Sequence, residues 1–145
     1  MIYISKNIKD TEGIAKDFMN KIKGGGNSSA TVVGLYGELG AGKTHFVQSV
    51  GKIFGIKRKI NSPTFVVMKR YSLGKASRFK NLFHLDAYRL KNEKELLHLG
   101  WAEIIADPLN IIFIEWPENV KKAMPKKHFK IKIAHTKEGH RKFKI

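Results

Sequence analysis

The sequence predicts a three-layer α/β domain with a mixed, mostly parallel central sheet, and three observations support this fold class. Short apolar runs rich in β-branched residues, typical of buried strands, occur at 31–36 and 111–114. Segments with apolar residues at helical spacing lie between the predicted strands. The chain from 129 to 145 alternates between apolar and mostly basic residues, as in a terminal β-hairpin. Alternating helices and strands favour parallel strands with helices on both faces.

The first part of the chain contains two helical patterns on either side of a strand. Asp10 or Thr11 is the expected N-cap of the first helix, whose apolar residues share one face. A glycine-rich loop at 24–29 ends this helix before the strand at 31–36. The second helix follows another glycine loop and is closed by Gly55. The apolar helical positions are Ile14, Ala15, Phe18, Met19 and Ile22 in the first helix and Phe46, Val47, Val50, Ile53 and Phe54 in the second.

The second part of the chain contains mostly strands. Two are predicted at 65–71 and 81–86, on either side of a polar link, and a third at 111–114. Asn92 is the expected N-cap of a short helix that ends near Gly100. The terminal hairpin places Phe129, Ile131 and Ile133 on one strand and Phe143 and Ile145 on the other, with a turn at 137–139.

Length and composition indicate a single globular domain covering residues 1–145. The chain contains no cysteine, which excludes disulfides, thiolate metal sites and cysteine nucleophiles. No apolar run approaches 20 residues, and the first residues lack the apolar core of a signal peptide. We therefore expect a cytoplasmic protein that does not associate with a membrane.

The net charge of +16, from 28 basic and 12 acidic residues, has two interpretations. One is a surface that attracts RNA, DNA or an acidic protein. The other is general lysine enrichment, because 23 of the basic residues are lysine and only five are arginine, the better reader of bases. No aromatic-rich RNA-binding motif is present to decide between them.

The segment Gly-Glu-Leu-Gly-Ala-Gly-Lys-Thr at 37–44 matches the Walker A pattern G-x-x-x-x-G-K-[ST] between a predicted strand and a helix. Its glycines allow successive backbone N–H groups to point at phosphate oxygens, and the helix that follows adds its positive dipole end. Lys43 is expected to contact the β- and γ-phosphates and Thr44 to ligate Mg²⁺. This pattern predicts a P-loop NTPase fold that binds ATP or ADP with Mg²⁺. The loop residues expected to bind nucleotide are Gly37, Leu39, Gly40, Ala41, Gly42, Lys43 and Thr44.

Two acidic residues at strand ends could complete such a site. Glu115 ends an apolar strand in the manner of a Walker B acid, and Asp86 ends the strand at 81–86. A carboxylate at the end of a neighbouring strand can hold Mg²⁺ or orient the attacking water. The residues alone do not assign these two roles between Asp86 and Glu115, and a solvated carboxylate is the alternative for either.

Other residues near these acids are weaker candidates. Thr64 follows Pro63 just before a strand, where its hydroxyl could sense the γ-phosphate, or the segment could be an ordinary turn. Trp116 is expected to lie beside the nucleotide or to pack in the core. His84 and Asp86 have the spacing of a metal pair, but no further ligand nearby supports a zinc site.

Four motifs together carry a family resemblance that extends from Thr11 to the basic tail. The order and spacing of these motifs resemble the TsaE (YjeE) family, the ATPases of the bacterial tRNA threonylcarbamoyladenosine pathway. Departures from the family pattern are small: His45 follows Lys-Thr in place of a threonine, and Ala87 replaces a larger apolar residue. The motifs are the Walker A segment at 37–44, Ser-Pro-Thr-Phe at 62–65, His-Leu-Asp-Ala-Tyr-Arg at 84–89 and Ile-Glu-Trp-Pro at 114–117.

The resemblance implies roles for individual residues and for partners. Thr44 and Glu115 would ligate Mg²⁺, Asp86 would be essential for hydrolysis, and Thr64 would belong to a switch loop. TsaB and TsaD would be the protein partners, and ATP hydrolysis would reset their complex, with tRNA contacted directly or through it. The residues implied to approach the nucleotide from outside the loop are Thr11 and Arg141.

Two other functions are compatible with a Walker A motif. A small-molecule kinase would normally carry an arginine-rich lid, and the segment 90–106 contains no arginine. A nucleic-acid-binding module for which ATP is only a ligand would bind RNA in a strongly salt-dependent way. An ATPase that acts on a tRNA-modifying partner complex is the function we expect.

Overall fold

The computed structural model describes residues 1–22, 27–61 and 67–145. Its helices are α1 (Ile8–Ile22), α2 (Lys43–Ile53), α3 (Glu93–Leu97) and α4 (Trp101–Ala106). A 3₁₀ segment covers Pro117–Ala123. The strands are β1 (Ile2–Ser5), β2 (Thr31–Tyr36), β3 (Met68–Ser72), β4 (Asn81–Asp86), β5 (Asn110–Glu115), β6 (Phe129–His135) and β7 (Arg141–Lys144).

All seven strands form one sheet in the order β1-β7-β6-β2-β5-β4-β3. The four central strands β6, β2, β5 and β4 are parallel to one another, and the outer strands pair antiparallel. Leu35 of β2 lies opposite Glu115 of β5, which in turn lies opposite Asp86 of β4. The carboxyl ends of these strands therefore meet at one edge of the sheet, where α/β proteins bind ligands.

Helices cover the sheet on both faces, which confirms the predicted three-layer α/β fold. One core packs α1 and α2 against the sheet, with Phe46 and Phe113 among its fully buried residues. The other packs α3, α4 and the 3₁₀ segment against β2, β4 and β5 through Leu96, Trp101 and Val120. The mixed sheet and the terminal hairpin of β6 and β7 are also as predicted.

Several local expectations need correction. The first helix begins at Ile8, and its cap is Asn7, whose Oδ1 accepts from the Asp10 amide at 2.9 Å. The helix that Asn92 caps ends at Leu97, and Gly100 instead precedes α4, which was not predicted. The predicted strand at 65–71 is observed as Met68–Ser72, and its first two residues lie outside the described ranges, as do 24–26 of the predicted loop. Strand β1 was also not predicted.

Among the described residues, no helix is both long enough and apolar enough to cross a lipid bilayer.

Candidate functional site

The glycine loop connects β2 to α2 at the carboxyl edge of the sheet and closely approaches the terminal hairpin. Gly37 has φ 156° and faces the Ile133 carbonyl oxygen so closely that a Cβ would collide with it. Gly42 has φ 111°, and a Cβ there would lie 3.1 Å from the Arg141 side chain. Both positions therefore require glycine on backbone and steric grounds. The loop geometry leaves α2 to start at Lys43 with its N-terminal amides facing the loop.

Lys43 is held inside the loop by backbone oxygens and an aromatic ring. Its Nζ donates to the carbonyl oxygens of Gly37 at 2.5 Å and Glu38 at 2.9 Å. It also lies 4.3 Å from the centre of the Trp116 ring, within cation–π range. Burial lowers the pKa of Lys43 below its ordinary value of 10.5, although the negative charge of Glu115 opposes this shift. The ammonium group is thus already positioned at the loop, and it would have to give up its hydrogen bonds to the carbonyl oxygens in order to bind a phosphate.

Thr44 and Glu115 are directly hydrogen-bonded. The Thr44 hydroxyl lies 3.0 and 3.1 Å from the two carboxylate oxygens of Glu115, at the start of α2 and the end of β5. Glu115 is only 4% exposed, so its carboxylate oxygens depend on protein donors in place of water. A hydroxyl and a carboxylate side by side are hard oxygen donors of the kind that Mg²⁺ takes together with substrate phosphates.

His84 is a further partner of Glu115 that the sequence analysis did not assign. Its Nε2 lies 2.6 Å from Glu115 Oε2, and the side chain is completely buried. The other ring nitrogen, Nδ1, is buried and has no hydrogen-bond partner within the described ranges. His84 lies two residues before Asp86 on β4, so both side chains point to the same face. No group of three or more His, Cys, Asp or Glu side chains with metal-site geometry occurs within the described part of the chain.

Asp86 ends β4 beside Glu115 in the sheet register and is 8% exposed. Its Oδ1 accepts from the Tyr88 amide at 2.9 Å, which fixes the carboxylate at the start of the following turn. Tyr88 in turn lies against Trp116, with ring centres 5.0 Å apart. The two acids predicted to complete the site thus lie on adjacent strands at the edge that carries the glycine loop.

Arg141 and Thr11 extend the site away from the loop. A cavity of about 310 Å³ is lined by the loop, Glu115 and Arg141, and a second of about 140 Å³ contains Thr11. Arg141 and His45 line both cavities, and their side chains are 3.1 Å apart. Thr11 is buried and shares a 2.7 Å hydrogen bond with Ser5. A larger cavity of about 590 Å³ lies at the opposite end of β2 and contains none of these residues.

The sequence-predicted residues differ in where the structure places them. Most of the predicted loop residues line one cavity with Glu115 and Arg141, whereas Gly37 and Ala41 belong to the loop but do not line that cavity. Trp116 contacts Lys43, and Asp86 lies on the strand next to Glu115. Thr11 lines the adjoining cavity instead. Thr64 lies outside the described residues. His45 and His84 were not proposed as site residues. The signals available were the position of His45 next to Thr44 and the two-residue spacing of His84 from Asp86.

A glycine loop between a buried strand and a helix, on a mostly parallel sheet, defines this chain as a P-loop-type nucleotide-binding protein. The family model described as "Threonylcarbamoyl adenosine biosynthesis protein TsaE" matches residues 5–143. The chain therefore belongs to the TsaE family, which confirms the resemblance seen in its motifs.

Individual relatives and one solved structure agree with this assignment. A protein from Rickettsia prowazekii, named tRNA threonylcarbamoyladenosine biosynthesis protein TsaE, is 39% identical over 78% of this chain and 72% of its own length. The protein of the same name from Bacillus subtilis is 33% identical over 93% of this chain and 78% of its own. The crystal structure of YdiB from Bacillus subtilis aligns with a TM-score of 0.75 and 25% identity, covering 99% of this chain and 82% of that one.

Proposed function

We propose that this protein is a Mg²⁺-dependent ATPase that serves tRNA threonylcarbamoyladenosine formation. By resemblance to its family, it acts with TsaB and TsaD, and hydrolysis resets their complex. One observation carries the ATPase assignment: Lys43, Thr44 and Glu115 converge on a single cavity at the start of α2. A phosphate-binding loop alone would bind a nucleotide, whereas a carboxylate bonded to the loop threonine provides a place for the metal.

Thr44 and Glu115 are the residues that would hold Mg²⁺. The hydroxyl and carboxylate already lie within hydrogen-bond distance of each other, and His84 fixes the second carboxylate oxygen. When bound, the metal neutralises charge on the β- and γ-phosphate oxygens. Because the hydroxyl and the carboxylate already lie side by side, holding the metal between them would require little movement of the backbone.

The remaining roles follow from position and chemistry. Lys43 leaves the loop carbonyls and places its charge on the phosphates, and the loop amides bind their oxygens. Asp86, fixed by the Tyr88 amide, orients the attacking water, and Thr64 acts as the switch residue implied by the family. Arg141 and Thr11 contact the part of the nucleotide that extends from the loop cavity into the neighbouring one.

In other P-loop enzymes an arginine, in addition to the loop lysine, stabilises the negative charge of the phosphoryl-transfer transition state. Arg89 could fill this role in cis, or a partner protein could provide an arginine in trans. In the second case the isolated protein binds ATP but hydrolyses it slowly. Addition of TsaB and TsaD should then raise the turnover number by at least about tenfold, since an arginine supplied in trans can contribute about 10³-fold or more.

Tryptophan fluorescence provides a direct test of nucleotide binding. Trp116 lies against the Lys43 ammonium group, so displacement of that group by phosphate should change its emission. Lys43→Ala should abolish the response to ATP with Mg²⁺, and Trp116→Phe should show that the signal comes from this residue. Lys94→Ala, an exposed lysine on α3, is the matched control and should respond like the wild type.

The partner assay decides between hydrolysis and the alternatives. ATPase activity is measured for the chain alone and with TsaB and TsaD, together with a screen of nucleosides and nucleotides as phosphoryl acceptors. Phosphorylation of an acceptor would replace the ATPase by a kinase. An unchanged fluorescence signal in the wild type, up to millimolar ATP, would contradict the proposal at its first step.

A further inference from the structure

One half of the sheet has an open face. Strands β6 and β7 bury Ile131, Ile133 and Phe143 under α1 and α2. On the opposite face, the core formed with α3, α4 and the 3₁₀ segment contains described residues of β2, β3, β4 and β5 but none of β6 or β7. The alternate residues of β6 and β7 are therefore exposed there. We call the four exposed lysines on this surface, Lys130, Lys132, Lys142 and Lys144, the lysine face.

The charge of the lysine face is not compensated within the described part of the chain. Lys132 and Lys144 are direct cross-strand partners, an arrangement of like charges that destabilises a sheet. None of the four lysines forms an ion pair with another residue of the described ranges. Residues 120–145 contain ten lysines and arginines but a single acid, Glu138, which belongs to the turn between the two strands. The segment 120–145 thus carries a net charge of +9 out of +16, and the lysine face contributes four of its ten basic residues.

The lysine face continues to the glycine loop. Tyr36, the last residue of β2, is the register partner of Lys132 and directly precedes Gly37. Its ring stacks on His128, with centres 6.5 Å apart and planes at 24°, and its hydroxyl lies 3.0 Å from the imidazole Nε2. A partly exposed aromatic pair therefore lies between the lysines and the 3₁₀ segment. A molecule on this face would lie next to the loop that binds phosphate.

The composition of the surface indicates what kind of partner it fits. Protein–protein interfaces are depleted of lysine and have an apolar core, whereas interfaces with nucleic acid are much more positively charged. The centre of this face consists of lysines, and its exposed apolar residues, Ile2 and Ile4, lie on the outermost strand. Lysine acts as a point charge for phosphate, without the bidentate geometry that arginine uses to read bases.

We propose that the lysine face docks the phosphate backbone of RNA. Docking there is electrostatic and independent of base sequence, and it places the RNA beside the nucleotide loop without occupying it. That the RNA is a tRNA rests on the proposed function, whereas the docking itself does not. The surface also explains how a chain without a recognisable RNA-binding motif could contact RNA.

The test compares two variants with equal net charge. The face variant carries Lys130→Gln, Lys132→Gln, Lys142→Gln and Lys144→Gln. The control variant carries Lys9→Gln, Lys16→Gln, Lys91→Gln and Lys94→Gln, which are exposed lysines elsewhere. Fluorescence anisotropy with labelled bulk tRNA measures affinity as a function of salt. We expect the face variant to bind at least about tenfold more weakly at 0.1 M salt. The slope of log affinity against log salt concentration should also become shallower by about three, because each lost phosphate contact accounts for about 0.7–0.9 of that slope.

Three outcomes would overturn the proposal. The wild type could fail to bind tRNA at low salt, or both variants could lose the same affinity, which would indicate a nonspecific effect of net charge. Alternatively, the face variant could bind tRNA normally but lose binding to TsaB and TsaD, which would make an acidic protein surface the occupant. Removal of the like-charge pair should leave the variant at least as stable as the wild type, so misfolding does not obscure the result.

The nucleotide assay separates this proposal from the proposed function. Both four-site variants should retain the Trp116 response to ATP, because none of their substitutions lines the loop cavity. A wild type that binds tRNA through the lysine face but gives no ATP response would contradict the ATPase and leave the docking surface intact. The reverse result, ATP binding with no effect of the face variant on tRNA, would contradict only the docking surface.

Discussion

At the scale of single residues, the site is organised around the buried carboxylate of Glu115. One of its oxygens accepts from both Thr44 and His84, and the other also faces the Thr44 hydroxyl. Such contacts offset the cost of burying a charge and fix the direction in which the carboxylate points. With Nε2 bonded to Glu115, the other ring nitrogen of His84, Nδ1, has no hydrogen-bond partner among the described residues. Burial of that nitrogen without a partner destabilises the fold, and a role of the histidine in positioning Glu115 would explain why it occupies this site.

His84→Phe tests this positioning role. Phenylalanine fills the buried site and removes the unpaired nitrogen, so the fold should be retained, but Glu115 loses a partner. We expect the Mg²⁺-dependent gain in ADP affinity to fall by about tenfold, as for other residues that orient metal ligands. Affinity measured in EDTA should be unchanged. His98→Phe, at an exposed position, is the control, and an unaltered Mg²⁺ dependence in His84→Phe would contradict the role.

Lys43 predicts a pH dependence of nucleotide binding. Burial lowers its pKa, and phosphate binding requires its charged form, so ATP affinity should decline on the alkaline side before pH 10.5. The stability of the free protein depends on pH in the opposite direction. The unfolded chain binds more protons between the lowered pKa and 10.5, so this residue's contribution to stability rises with pH there. Calorimetric titration with ATP at increasing pH, compared with Lys43→Arg, measures the first effect. Identical profiles for the two proteins would exclude Lys43 as its source.

At the scale of secondary-structure elements, local sequence patterns predicted the strands whose burial is continuous or strictly alternating. Strand β2 was predicted at its observed limits because all but its last residue are buried, and the terminal hairpin because its apolar residues alternate. Strand β1 escaped prediction because it is only four residues long and pairs with a strand near the other end of the chain. The polar run before α1 offers several N-caps, and the choice of Asn7 depends on which carbonyls and amides the fold aligns.

In the functional site, too, contacts between segments that are distant in sequence could not be predicted from local patterns. The loop and the two strand-end acids are visible as motifs because their spacing along the chain is short or their strands are apolar. The bond between His84 and Glu115 joins strands 31 residues apart in sequence and depends on the sheet register. Arg141 was assigned through family resemblance, since nothing in its local sequence reveals that the hairpin brings it to Gly42.

Helix α1 provides a stability prediction at this scale. Gly13 lies on its exposed side, and a Cβ there would meet no atom within 4 Å. Gly13→Ala should therefore stabilise the protein by about 0.5–1 kcal/mol and raise Tm by roughly 2–4 °C. In α2, a Cβ at Gly51 would collide with the Ile60 side chain, so Gly51→Ala should lower Tm. Thermal unfolding followed by circular dichroism measures both, and equal shifts in the two variants would contradict the steric explanation.

At the scale of the whole molecule, the nucleotide loop is supported by the terminal hairpin. Gly37 packs against the Ile133 carbonyl, His135 Nε2 lies 3.2 Å from the Gly40 carbonyl oxygen, and Arg141 covers Gly42. These contacts join segments about 100 residues apart in sequence. The hairpin of β6 and β7, which carries the lysine face, is thereby in direct contact with the loop, so binding at either place should affect the other.

Hydrogen exchange should reveal this coupling. Binding of ADP with Mg²⁺ stabilises the folded state by about 2.7 kcal/mol at a ligand concentration 100 times its Kd. We expect the largest local stabilisation in the loop and in the hairpin residues that contact it. We expect slower amide exchange in α2 and also in β6 and β7, which do not belong to the nucleotide motif. Strand β3, at the opposite edge of the sheet, is the internal reference and should be protected only by global stabilisation. Lys43→Ala should abolish the protection throughout. Protection confined to the loop and α2 would mean that the hairpin supports the loop without responding to it.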